Sequence, residues 1–153
     1  MSDAESPSDA ESDGPPSIRA SISIRNFSGS PNEITRILGV EPSRSGTAGE
    51  LRRNVRGRLT SEVLERSYWS LDSSMPPRST LAQHIDDLLA QVRPITLAFS
   101  QLPPGTTVTL FSTIIPNGKI PTLSIHREAM RSLVEIGADV DILFISVVDA
   151  PEG

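Results

Sequence analysis

Two hydrophobic periodicities alternate along this chain, and their order is what most restricts its fold. Ile18, Ala20, Ile22 and Ile24 alternate with Arg19, Ser21, Ser23 and Arg25, the period of two that buries one face of a β-strand. Ser30-Pro31-Asn32-Glu33 then opens a helix, with Ser30 as cap, Pro31 in the first turn and Glu33 completing a capping box. Ile34, Ile37 and Leu38 form its short apolar face, and Gly39 ends it. Tyr68-Trp69-Ser70-Leu71 reads as a strand. Thr80 and Gln83 make a second capping box, ahead of a helix carrying Leu81, Ile85, Leu88, Leu89 and Val92. Pro94 breaks or restarts that helix, and Pro103-Pro104-Gly105 stops it. Thr107 to Ile115 is a strand. Asn117-Gly118 signals a hairpin whose return strand runs from Lys119 to about Leu123, with Pro121 marking an edge or bulge. Ser124 stands where it can cap a helix carrying Ile125, Ala129, Leu133 and Ile136, closed by Gly137. Val140 to Val148 is apolar on both faces, as in an internal strand.

From Tyr68 onward this is the βαββαβ order of an α+β ferredoxin-like sandwich. An extra N-terminal strand–helix unit precedes it, and the sheet is antiparallel or mixed with helices on one face. The strand Ile18–Arg25 is expected to pair beside the last strand, which would explain why Val140–Val148 is apolar on both sides.

The chain has 153 residues, enough for one domain, placed here at residues 17–149. Residues 1–16 form an acidic tail in which SDAES occurs twice, at Ser2–Ser6 and Ser8–Ser12; it holds too little apolar surface to offset ordering entropy and is expected to be disordered. Residues 150–153 form a short C-terminal tail. The net charge of −5 belongs to Asp3, Glu5, Asp9, Glu11 and Asp13, so the folded part is neutral. Zero cysteines exclude disulfides and thiolate metal sites. With no signal-peptide pattern and no membrane-length apolar run, the expectation is a soluble cytoplasmic protein with no membrane partner.

Chemistry-bearing residues concentrate in one region. Arg44, Arg52, Arg53, Arg56, Arg58 and Arg66 precede Tyr68 and Trp69, the only tyrosine and tryptophan. Guanidinium groups beside aromatic faces hold anions, planar ligands and bases. Residues 43–66 read as an Arg-rich loop or insertion. Leu51, Val55, Leu59 and Val63 recur every four residues in favour of a helix, while Gly57 in their midst favours a mobile loop or a hairpin.

Elsewhere the residues point away from catalysis. His84 and His126 lie on separate helices and read as surface polar residues, so no metal site is expected. Asp86 and Asp87 are adjacent on a helix and cannot act as one acid–base pair, Asp139 and Asp141 flank the start of a strand and limit its pairing, and all four read as solvated. There is no G-x-S-x-G elbow, dinucleotide fingerprint or phosphate loop, and no cofactor is expected.

The segments IRNFSGSPNEITRILGVEPSR (from Ile24), YWSLDSS, LAQHIDDLLAQV and LSIHREAMRSLVEIGADVDI together resemble the bacterial domain-of-unknown-function family 4279, over roughly residues 18–148. The most recognisable pieces are EITRILGVEP and the W-S-L strand. The resemblance implies a small α+β domain and supplies no reaction, cofactor or catalytic residue. The chain departs from that pattern in its acidic leader and in Ile125-His126, where a proline and an acid would open the last helix.

These readings converge on a non-catalytic bacterial binding module. It engages an unknown protein partner or a small anionic ligand through Arg44, Arg52, Arg53, Arg56, Arg58, Arg66, Tyr68 and Trp69. The alternatives are an immunity or antitoxin-like protein that neutralises a toxin, and an RNA-binding domain. Nucleic acid is disfavoured by the neutral-to-acidic charge and by Glu50, Glu62 and Glu65 among the arginines.

Overall fold

The computed structural model describes residues 14–54 and 56–146. Most of the acidic tail, Val55, Val147, Val148, Asp149 and the C-terminal tail lie outside those residues. The architecture is mixed α+β: a five-stranded mixed sheet, a separate two-stranded ribbon and three α-helices.

The strand β1 (Ser17–Arg25) is the centre of the sheet. It pairs antiparallel with β5 (Tyr68–Asp72) on one side and β6 (Thr107–Ile115) on the other. Beyond β5 lies β2 (Arg44–Gly46), antiparallel; beyond β6 lies β7 (Ala138–Phe144), parallel. The order is therefore β2-β5-β1-β6-β7. Even-numbered residues of β1 and β6 (Ile18, Ala20, Ile22, Ile24, Val108, Leu110, Ile114) join Trp69 and Leu71 in one buried cluster. The helices α1 (Pro31–Leu38), α2 (Leu81–Val92) and α3 (Arg127–Glu135) cover this face through Ile34, Leu38, Ile85, Leu88, Val92 and Leu133. No helix of the described residues covers the other face, which carries Arg19, Ser21, Ser23, Arg25, Tyr68, Ser70, Thr109 and Phe111.

Local signals account for most elements. Thr80 Oγ1 accepts from the Gln83 backbone N–H while the Gln83 side chain accepts from the Thr80 N–H, so the expected capping box opens α2. Ahead of α1 only half the box forms. Ser30 Oγ accepts from the Asn32 N–H, but Glu33 pairs with Arg36 (2.6 Å) instead of turning back. The chain leaves α2 at Pro94 in a 3-10 segment, Arg93–Gln101. No helix of the described residues is long and apolar enough to cross a membrane.

Five expectations fail, the first four for related reasons. The return strand Lys119–Leu123 is absent. Both flanks of β6 are already taken by β1 and β7, and Pro116 and Pro121 remove backbone donors, so Asn117-Gly118 yields only an isolated bridge between Asn117 and Lys119. Without that strand the βαββαβ order is not completed. The N-terminal strand does not pair beside the last strand but sits at the centre, and β7 is an edge whose side chains are largely exposed. The last helix starts at Arg127 with His126 as its cap, not at Ser124.

Candidate functional site

The Arg-rich stretch folds as a hairpin that leaves the sheet. Its root is the β2–β5 ladder, where Arg44, Ser45 and Gly46 pair with Ser70, Trp69 and Tyr68. At Gly46 a Cβ would stand 2.6 Å from Leu64 Cδ1 and 2.7 Å from Tyr68 Cε1, so only glycine lets those side chains close over the root. The ladder continues through the Glu50–Leu64 backbone bond into β3 (Leu51–Arg53) and β4 (Leu59–Val63), which pair only with each other. The tip turns on Asn54, whose Oδ1 accepts from the N–H groups of Arg56 and Arg58, and on Gly57 at φ 79°. A spacing of four is also a multiple of two, so Leu51, Leu59 and Val63 fit a strand ladder as well as a helix; the ladder shifts register between Leu51↔Val63 and Arg53↔Leu59.

Every described residue from 49 to 59 is exposed. Leu51, Leu59 and Val63 are 45, 56 and 56 % exposed, although each is a residue type that folding normally hides. Beside them, Arg52 makes a loose pair with Glu62 (3.4 Å), and Arg53 donates to the Gly57 carbonyl (2.7 Å). The guanidinium groups of Arg56 and Arg58 have no partner among the described residues.

The other expected site residues separate. Arg44 is tied on the helix-free face of the sheet, donating to Asp72 Oδ1 (2.9 Å) and reaching Ser70 Oγ. Tyr68 lies next to it, half-buried against Gly46. Arg66 reaches Asn26 Oδ1 (3.4 Å), where the two residues help line an open cleft of about 460 Å³ with Phe27, Gly29, Glu65 and Ser67. Trp69 is corrected outright. It is 1 % exposed, on the helix-covered face, and its Nε1 donates to Thr35 Oγ1 (3.0 Å), so its ring meets no ligand at the surface. The apolar partners of the arginines, Leu51, Leu59 and Val63, were legible as a pattern but not as a surface.

His84 is corrected too: it is buried, with Nδ1 2.8 Å from Ser73 Oγ and, among the described residues, no hydrogen-bond partner of ordinary geometry for Nε2. The sequence did hold a signal, since position 84 falls on the apolar stripe between Leu81 and Leu88. Burial lowers its pKa, and the nearby Asp87 carboxylate and the Pro76 carbonyl counter this only in part. Asp87 itself is not simply solvated. Burial alone would raise its pKa, but hydrogen bonds from the Ser74 N–H and hydroxyl and from Gln91, with His84 nearby, hold it below the usual carboxylate range. The pair pins the Ser73–Ser74 turn to α2. Among the described residues no group of three or more metal-ligating side chains converges.

A family model described as domain of unknown function (DUF4279) matches residues 16–145. No curated protein and no solved structure matches the chain.

Proposed function

The chain belongs to the DUF4279 family, and we propose that it is a non-catalytic binding module that presents the β3–β4 hairpin to an acidic patch on a protein partner. The observation that carries this reading is the presence, on one projecting ribbon, of exposed Leu51, Leu59 and Val63 together with Arg56 and Arg58, whose guanidinium groups have no partner among the described residues. Apolar side chains flanked by arginine are what the centre of a protein interface contains, whereas phosphate binding alone has no use for the leucines. A stacked base would need an accessible aromatic ring beside the ribbon arginines, but residues 49–64 hold none, Trp69 is buried, and Tyr68 sits half-buried at the root.

The test is capture from host lysate with three proteins: wild type, Arg52/Arg53/Arg56/Arg58→Ala and Leu51/Leu59/Val63→Ser. The expected result is one saturable protein partner, lost in both variants. Nucleic acid retained by the serine variant and released by salt would replace this reading, and no retained partner in any sample would overturn it.

A further inference from the structure

The five-stranded sheet ends on β7, and no described residue pairs with its outer side. The Ile145 N–H donates to the Ile114 carbonyl (2.9 Å). In the alternation of a parallel ladder, odd-numbered residues of this strand therefore bond inward to β6, and the backbone groups of Val140, Ile142 and Phe144 point outward. The side chains add to the exposure. Val140, Leu143 and Phe144 are 37, 48 and 45 % exposed; Phe111 on β6 is partly exposed, as are Met130 and Val134 on α3, the helix packed against β7. No proline, bulge or lysine blunts this edge, which is how exposed edges are normally protected. The only charges on the strand are Asp139 and Asp141, on the face away from the helices.

We propose that β7 is a self-association edge, where two copies of this chain pair antiparallel about a twofold axis centred on Ile142. Such an axis runs perpendicular to the sheet and pairs residues of equal parity, so few registers exist. Centring on Val140 sets Asp139 against the partner's Asp141, and centring on Asp141 sets that carboxylate against its own copy. Like charges directly opposite one another are unfavourable. Centring on Leu143 displaces Val140 onto the partner's Ser146. Centring on Ile142 sets Val140 against the partner's Phe144 and Asp141 against the partner's Leu143, and the outward backbone groups exchange hydrogen bonds in pairs.

On the open face the row then reads Arg19, Thr113, Leu143, followed by the partner's Asp141 and the partner's Phe111. Each Asp141 gains a cation of the other copy about 14 Å away, an attraction that salt mostly screens. Asp141 and the partner's Asp141 remain diagonal neighbours roughly 7–8 Å apart, so charge rules out the Val140 and Asp141 centres, and the apolar Val140–Phe144 pairing selects Ile142 over Leu143. The exposed apolar side chains named above leave on the order of 500 Å² of surface, against roughly 800 Å² per partner in a standard interface.

The experiment is sedimentation equilibrium on the full chain at roughly 1–100 µM, with circular dichroism to confirm that each variant is folded. Wild type is expected to dimerise. Val140→Lys and Phe144→Glu, made singly, are each expected to weaken the dimer by at least about tenfold. Combined in one chain they restore it, because only this register brings the two new charges face to face. A wild type that stays monomeric throughout overturns the proposal, as does a dimer that the single substitutions leave intact or that Leu59→Ser abolishes instead. Singles that dissociate the dimer without rescue by the double overturn the register. If removing residues 147–153 turns a monomer into a dimer, that segment covers the edge and the proposal is wrong.

Discussion

The sandwich and the hairpin are built from similar residue types and treat them in opposite ways. In the sandwich, Ile22, Ile24, Leu88 and Leu110 are fully hidden between sheet and helices, and even the buried Ser112 hydroxyl finds the Arg19 carbonyl (3.1 Å). In the hairpin, Leu51, Leu59 and Val63 stand in water beside arginines. Burial of apolar area is what stabilises a fold, so side chains that forgo it contribute little to stability there. The difference separates residues that hold the molecule together from residues available for contact with something else.

Four measurements break or sharpen that contrast. The largest effect belongs to the core: Trp69→Ala removes the biggest buried side chain and orphans Thr35, and is expected to cost about 3–5 kcal/mol in denaturant unfolding. At the root of the hairpin, Gly46→Val forces Leu64 and Tyr68 apart and is expected to cost about 1–3 kcal/mol by the same measurement.

A smaller effect comes from His84. Its folded pKa lies below the ordinary 6.5, so the unfolded chain binds the proton more readily. The stability is complete above pH 6.5 and is lost as pH falls from there toward the folded pKa. Melting temperature should therefore drop between pH 7 and pH 5, and His84→Gln should flatten that slope. Asp87, held low, adds its own loss only below its ordinary 3.8. The smallest effect is at the ribbon: Leu59→Ser should shift stability by no more than about 0.5 kcal/mol while abolishing partner capture. A large loss of stability there would mean that the ribbon is structural.

Periodicity made β1, β5, β6 and the helices legible, because a period of two or 3.6 states which side chains share a face. The same alternation also held the correction for Trp69, which shares its face with Leu71 two residues on. The hairpin return at Lys119–Leu123 was misread because Asn117-Gly118 is a local signal, and nothing local reports that both flanks of β6 are occupied. β7 was misread as internal because its apolar residues were assumed to be covered. The arginine cluster was legible as a cluster, but its eight expected members divide among ribbon, open sheet face, cleft and core, since sequence proximity across a hairpin root says little about which side each residue faces.

By itself, the sequence determined the elements whose apolar residues repeat with a fixed period, along with the capping box at Thr80, the break at Pro94 and the confinement of the net charge to the N-terminal segment. Those follow from short-range geometry and from counting. Only the tertiary structure decided that the first strand takes the centre of the sheet, that β7 takes its edge, and that three apolar residues beside four arginines stay in water. Those outcomes depend on which long-range pairings compete for the same strand flanks, and that competition is settled only when the whole chain packs.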